Sequence, residues 1–235
     1  MKKLLFLVLL VCQCAWAEEP MILTTEDAPP TNMLAADGKT IIGSATEQIH
    51  ELFKRAGIPY TITLYPWVRA ITMATNDRNT CVYSTTRTEP REDQFRWVGP
   101  VAPNDWVLYA KEDSKITLTA LNDAKKFRVG GYRGDAVALY LEEHGFKLDN
   151  ATNDEQSLKK LLAGRIDLMA TGSSSGPWVA KKAGVKIKPV LNFQKTSLYL
   201  ACSLSVSEAT VNKLNAVLKE MEKDGTTEKI NRKYQ

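Results

Sequence analysis

Strand-like and helix-like segments alternate along this chain in two successive runs, which predicts an α/β fold of two units, the second inserted into the first. The first run reads β-α-β-α-β over residues 21–84, the opening of a largely parallel sheet with helices on both faces. The second starts near Trp106 and repeats the rhythm as far as a strand at Ile166–Ala170. Polar loops follow the strands of both runs, and open α/β sheets bind ligands beyond the carboxyl ends of their strands.

In the first run, Met21-Ile22-Leu23-Thr24 is a short strand closed by Glu26-Asp27-Ala28-Pro29-Pro30, which neither continues a sheet nor readily starts a helix. Ser44 with Glu47 three residues on forms a capping-box pattern. Ile49, Leu52, Phe53 and Ala56 then share one helical face, and Gly57 and Pro59 stop it. Tyr60 to Tyr65 alternates as a strand does. Pro66 opens a short helix with Trp67, Ala70, Ile71 and Ala74 on one face, and Thr80–Ser84 is the next strand.

In the second run, Trp106–Ala110 reads as a strand leaving the first unit, and Lys111–Lys115 as a charged connection. Arg128–Tyr132 is a strand leading into Arg133-Gly134-Asp135, where Asp135 caps a helix through Glu143. Asn153 with Gln156 caps the next, which carries Leu158, Leu161 and Leu162 and closes at Gly164. Ile166–Ala170 delivers Thr171-Gly172-Ser173-Ser174-Ser175-Gly176 to the lip of the second sheet, and Pro177 suits a helix start. Leu198–Leu204 alternates again. Val211, Leu214, Leu218 and Met221 form a last helical stripe, ending at Gly225.

Met1-Lys2-Lys3, the apolar run Leu4–Val11 and small residues at Ala15 and Ala17 read as a secretory signal, residues 1–17, cleaved after Ala17. The run is shorter than the roughly 20 apolar residues a membrane span needs. Val11 and Gln13 are poor neighbours for a lipidated Cys12 or Cys14. The mature protein is expected to be soluble and periplasmic. Losing Lys2 and Lys3 takes the formal net charge from +4 to +2, too balanced to argue for nucleic acid. Two cysteines also leave, so Cys81 and Cys202 remain in an oxidising compartment, where a disulfide is favoured over a pair of buried thiols. Two cysteines and two scattered histidines make no metal site, and no cofactor is expected.

The loop Ser84-Thr85-Thr86-Arg87-Thr88-Glu89-Pro90-Arg91 packs hydroxyls and two guanidiniums into a turn. Such groups cradle an anion, and an arginine meets a carboxylate with two parallel, charge-assisted hydrogen bonds. The competing reading is a polar surface loop whose arginines are solvated or paired with Glu89, Glu92 and Asp93. Context favours binding. If the two units face each other, loops 24–30, 65–69, 84–91, 132–136 and 171–176 surround one cleft, and domain interfaces are common small-molecule sites.

The chain resembles the bacterial periplasmic solute-binding proteins of the polar amino-acid type, which serve ABC importers. The resemblance is carried by Gly38-Lys39, Ile42-Gly43, Pro66-Trp67-Val68-Arg69-Ala70, the loop 84–91, Phe95 and Gly99-Pro100. It continues through Val129-Gly130 with Gly134, Leu161-Leu162-Ala163-Gly164-Arg165-Ile166-Asp167 and Asp224-Gly225, so it spans the mature chain. It implies the two-lobed periplasmic-binding-protein-like fold (type II). Lobe 1 would take residues 18–108 and 200–235 and lobe 2 residues 109–199, with hinge crossings near 106–111 and 196–203 that let the lobes close on a ligand. It also implies a monomer that captures a small carboxylate-bearing, amino-acid-like solute and delivers it to an ABC permease in the inner membrane.

Residue by residue, Arg91 falls where the family grips the ligand's carboxylate, with Ser84 and Thr86 assisting and Thr85 between them. Trp67 falls in a cleft-lining loop, beside Arg69. Gly134-Asp135-Ala136 falls at a helix start that meets the ligand, and such a start suits an anion. Tyr132 and Thr171 flank the cleft from the second lobe. Two departures stand out. Many relatives carry an acid that holds the ligand ammonium five positions after the aspartate of the Gly-Arg-Ile-Asp run, where this chain has Gly172. Many also carry an aromatic after the first strand, where this chain has Glu26-Asp27. Either an acid has moved to the other lobe or the ligand is not an ordinary α-amino acid. No nucleophile-and-base arrangement is apparent, which argues against an enzyme. Some proteins of this fold are, however, dehydratases acting on cyclic precursors of phenylalanine, for which Glu26 or Asp27 would be the acid or base. A sensory solute-binding subunit is the third class. Cys202 is expected on the strand returning to the first lobe, beside Cys81, within the roughly 4.4–6.8 Å Cα separation of a disulfide.

Overall fold

The computed structural model describes residues 19–234. The expected signal segment, with Cys12, Cys14 and cleavage after Ala17, lies outside the described residues. The chain runs through β1 (Met21–Thr25), β2 (Met33–Leu34), β3 (Ile41–Ile42), α1 (Ser44–Ala56), β4 (Tyr60–Leu64), α2 (Trp67–Asn76) and β5 (Thr80–Thr86). It continues as β6 (Arg96–Pro103), β7 (Trp106–Lys111), β8 (Val129–Gly130), α3 (Ala136–Glu143), α4 (Asp154–Leu162) and β9 (Leu168–Gly172). The last elements are α5 (Ser175–Lys182), β10 (Ile187–Gln194), β11 (Ser197–Cys202), α6 (Glu208–Lys223) and α7 (Thr226–Asn231). No helix among the described residues is long and apolar enough to cross a membrane.

These strands build two main sheets, ordered β4-β1-β5-β11-β6 and β10-β7-β9-β8, and a small antiparallel pair, β2-β3. Only part of the expected parallel character survives. The strands β4, β1 and β5 are parallel, but β11 runs antiparallel to β5 and β6, and β7 antiparallel to β9 and β10. The strands β6 and β10 have no counterpart in the sequence reading. Each carries proline, which cannot donate to a ladder, and each lies at a sheet edge where that costs least.

The chain changes sheet between Pro103 and Trp106 and again between Gln194 and Ser197. That is earlier than the hinge crossings at 106–111 and 196–203 and the lobe limits at 108 and 199. The ladder of β7 lies wholly in the second sheet and that of β11 wholly in the first. The two crossings are strapped together: Asn104 N–H donates to Thr196 O at 3.0 Å, and Asn192 Nδ2 to Asp105 Oδ2 at 3.1 Å.

Each sheet buries its own core. Leu23, Ile49, Phe53, Tyr83, Leu200 and Leu214 belong to the first, and Trp106, Leu108, Val137, Leu141 and Leu168 to the second. Cys81 and Cys202 face each other across the β5–β11 ladder and are disulfide-bonded, with Cα atoms 3.9 Å apart, closer than the expected range. The capping box at Ser44 does not form. Gly43 is the N-cap, and the first N–H groups of α1 donate to Pro30 O and Thr31 O of the preceding loop. A Cβ at Gly43 would lie 2.2 Å from Thr31 O, so only glycine admits this approach. Glu47, freed from capping, accepts from Tyr234 Oη at 2.6 Å and tethers the C-terminus.

Candidate functional site

Between the two sheets lies a cavity of about 240 Å³, walled by both lobes. The first lobe brings its β-strand ends to it. The loop after β1 is closed by Ala28 N–H donating to Asn32 O at 2.8 Å, and Asn32 Nδ2 in turn donates to Glu26 O, which presents the Glu26 carboxyl to the cavity. The strand β5 extends through Thr86, so Ser84-Thr85-Thr86 is strand end rather than turn. Its alternation sends Ser84 and Thr86 to the cavity and Thr85 away; Thr85 is buried and donates to Val82 O at 3.2 Å. Ser84 has φ 61° and its buried hydroxyl has no partner, a strained and unsatisfied group at the cavity wall.

Arg91 reaches the cavity from the 3₁₀ turn Glu89–Gln94. Only 8% exposed, it donates to Thr86 O at 3.2 Å and lies over the Trp67 ring at 5.3 Å. Among the described residues it has no ion pair within 4.0 Å. Burial lowers its pKa, and the charges of Asp135 and Glu26 act in the other direction. Arg87 follows the surface-loop reading instead: it forms a two-pronged pair with Glu92 and stacks between Trp97 and Tyr199.

The second lobe answers with carboxylates. Asp135, the N-cap of α3, accepts from Ala136 N–H at 2.8 Å. Asp154, on the first turn of α4, accepts from Thr171 Oγ1 at 2.8 Å. Burial pushes Asp154 up to about 7, and the nearby Asp135 charge adds to it. Asp135 is also raised by burial, while Arg91 and the α3 N–H groups pull it back. Glu26, raised to about 8 mainly by burial, accepts from Tyr132 Oη across the lobes. A second bond between lobes runs from Trp67 Nε1 to Gly134 O at 2.9 Å.

Of the expected ligand residues, Glu26, Asp27, Trp67, Ser84, Thr86, Arg91, Tyr132, Asp135 and Thr171 line this cavity. Three do not. Arg69 stacks on Tyr65 at 4.3 Å, because its place one turn into α2 turns it from the cleft. Thr85 points to the opposite face of its strand. Gly134 faces a larger apolar space of about 650 Å³ on the far side of Trp67 and Arg91. The sequence reading missed Asn104, Asp154 and the exposed-edge pair Glu155–Lys182, bonded at 2.7 Å. Asp154 carries a signal in retrospect: it stands at a helix start in the second unit, as Asp135 does.

Two α/β lobes enclosing a polar cavity, with two chain crossings behind it, define a protein built to surround a small solute. The sequence matches the model of the bacterial extracellular solute-binding proteins, family 3, over residues 21–235, and the chain belongs to that family. Solved structures share the fold. A histidine kinase sensor domain with similarity to periplasmic binding proteins superposes with TM-score 0.84 at 19% identity, covering 92% of this chain and 96% of that one. The arginine-, lysine-, histidine-binding protein ArtJ of Geobacillus stearothermophilus gives 0.80 at 17%, covering 92% and 95%. An ancestral arginine-binding protein bound to glutamine gives 0.78 at 24%, covering 92% and 97%. A search of curated protein sequences gives no match.

Proposed function

We propose that this protein captures a small amino-acid-like solute bearing a carboxylate and at least one cationic group, and releases it to an ABC importer. The observation that carries this is the buried guanidinium of Arg91 sharing a cavity with the carboxyls of Glu26, Asp135 and Asp154, while the other lining cation, Lys182, is paired with Glu155. Arg91 offers the fork a carboxylate needs. Burial holds Glu26 and Asp154 toward their protonated forms, and a ligand cation beside them offsets the negative charge that their ionisation adds to Asp135 and that Arg91 alone does not balance. Structural relatives described as binding arginine, lysine and histidine support this class, as does one described as the substrate-binding protein of an amino acid ABC transporter. We take the lobe boundaries to be residues 104–105 and 195–196, where the chain changes sheet, and the mature protein to be a periplasmic monomer cleaved after Ala17.

Calorimetry against a panel of amino acids, polyamines and plain carboxylates tests this. Cationic amino acids are expected to bind best. A preference for neutral or anionic solutes would overturn the charge argument.

Dehydratase chemistry on the same fold is the second reading, favoured by carboxyls at about 7 and about 8 inside a cavity, the range of a general acid or base. Turnover of prephenate or arogenate by the purified protein is its test, and binding without turnover excludes it. A sensory role has the kinase sensor domain as its structural relative. Finding permease and ATPase genes beside this one would favour transport over sensing.

A further inference from the structure

We propose that Asp154 receives the ammonium group of the ligand, and that Asn104 excludes that role from the end of β9. The inference rests on the binding function proposed above and names how this cavity reads a cation.

Thr171 and Gly172 end β9 at the cavity, the natural place for an acid from that strand. Gly172 supplies none, and the side-chain amide of Asn104 fills the space beside it. A Cβ built there would lie 2.1 Å from Asn104 Oδ1 and 2.9 Å from Asn104 Cγ. Asn104 sits on the crossing between lobes, its backbone tied to Thr196 and its side-chain amide set against Gly172, so a side chain at 172 requires that amide to turn away. The amide therefore occupies the volume that a carboxylate on β9 would use.

Asp154 approaches the same corner from α4. Its Oδ2 accepts from Thr171 Oγ1, which fixes the carboxyl against the residue next to Gly172 and leaves Oδ1 without a protein donor. An acid on the first turn of a helix is ordinarily stabilised as its anion by the N-terminal dipole. Here burial and the facing Asp135 charge oppose ionisation, and a cation placed beside the carboxyl would offset both. The unpartnered Ser84 hydroxyl and the little-used guanidinium of Arg91 on the opposite wall point independently to a ligand in the same space. An amino acid spanning the two walls places its carboxylate at Arg91 and its ammonium at Asp154, with Asn104 Oδ1 as an additional acceptor tied to the hinge.

The test compares two probes, L-arginine and 5-guanidinopentanoate, which is arginine without its α-ammonium. Wild type is expected to bind arginine about tenfold or more tightly than the second probe. Asp154→Asn keeps the Thr171 bond and the side-chain shape; it should abolish that preference and change 5-guanidinopentanoate affinity less than about twofold. The triple variant Asp154→Asn, Asn104→Ala, Gly172→Asp should recover part of the preference, because the acid regains the vacated space on β9. Loss of both probes to the same degree in Asp154→Asn, or no change in either, overturns the assignment while the binding function stands. Failure of wild type to bind any amino acid sinks the functional reading and this assignment together.

Discussion

The two lobes contribute different groups to one cavity, the guanidinium of Arg91 with the Glu26 carboxyl from the first and the Asp135 and Asp154 carboxyls from the second. Among the described residues only the first is cross-linked by a disulfide. The first supplies the cation, Arg91, on the 3₁₀ turn that follows a strand pinned by the Cys81–Cys202 disulfide at the centre of its sheet. The second supplies Asp135 and Asp154 from helix starts, and no disulfide is found in it among the described residues. An anion site gains from rigidity because a guanidinium fork must match two oxygens at once. Asp135 and Asp154 sit on the other half, where burial raises them; on the proposed reading that the lobes part to release a ligand, exposure would relax them. On that reading, closure would gather like charges that a cationic ligand relieves.

The largest expected effect breaks the rigid half. Reducing the disulfide opens a loop of sequence separation 121, for which chain entropy allows roughly 4–5 kcal/mol. The melting temperature should fall on reduction, and denatured, non-reduced mature protein should show no titratable thiol. Two free thiols in protein freshly isolated from the periplasm would refute the bond.

Next comes the cation itself. Arg91→Ala should weaken ligand binding by about 2 kcal/mol or more, as expected when a buried charge partner is removed. Arg91→Lys should lose much of the same, for want of the fork. Calorimetry on both variants decides, and unchanged affinity in both would leave the carboxylate without an anchor.

The buried carboxyls of the cavity, Glu26 from the first lobe and Asp154 from the second, should respond to pH. The folded values of Glu26 and Asp154, about 8 and about 7, lie above the ordinary 4.5 and 3.8. The empty folded protein therefore binds more protons than the unfolded chain through this window. Its stability should fall as pH rises from about 4 to about 8. A cationic ligand that needs these carboxylates ionised should bind more tightly over the same range and expel protons. Calorimetry in buffers of different ionisation enthalpy measures that release; proton uptake on binding would contradict it.

The smallest effect concerns the bridges between lobes. Trp67→Phe removes the bond to Gly134 O and should favour the open form by about 1 kcal/mol. Small-angle scattering without ligand should then show a larger radius of gyration than wild type, and saturating ligand should restore compactness. No difference between the two proteins would mean that this bond does not hold the lobes.

Local chemistry made much of this legible in the sequence. Asn153 accepts from Gln156 N–H and Asp135 caps α3 as their positions imply. The stripe Val211, Leu214, Leu218 and Met221 is buried along α6. The loops that meet at the cleft were also readable, because turn residues and strand ends announce themselves within a few positions. What the sequence could not decide was any choice between neighbours equally suited by type. Thr85 and Thr86 differ only in which side of β5 they face, and Arg87 and Arg91 only in whether Glu92 or the cavity claims them. The edge strands β6 and β10 were hidden because proline contradicts strand propensity unless one side of the strand is known to be unpaired. Asp154 and Asn104 reach Thr171 and Gly172 from distant parts of the chain, and that approach exists only once the hinge and α4 are packed around β9. Sequence fixes which groups are available and in what local geometry; the long-range packing of two lobes decides which of them face one another, because burial and charge proximity are properties of that packing alone.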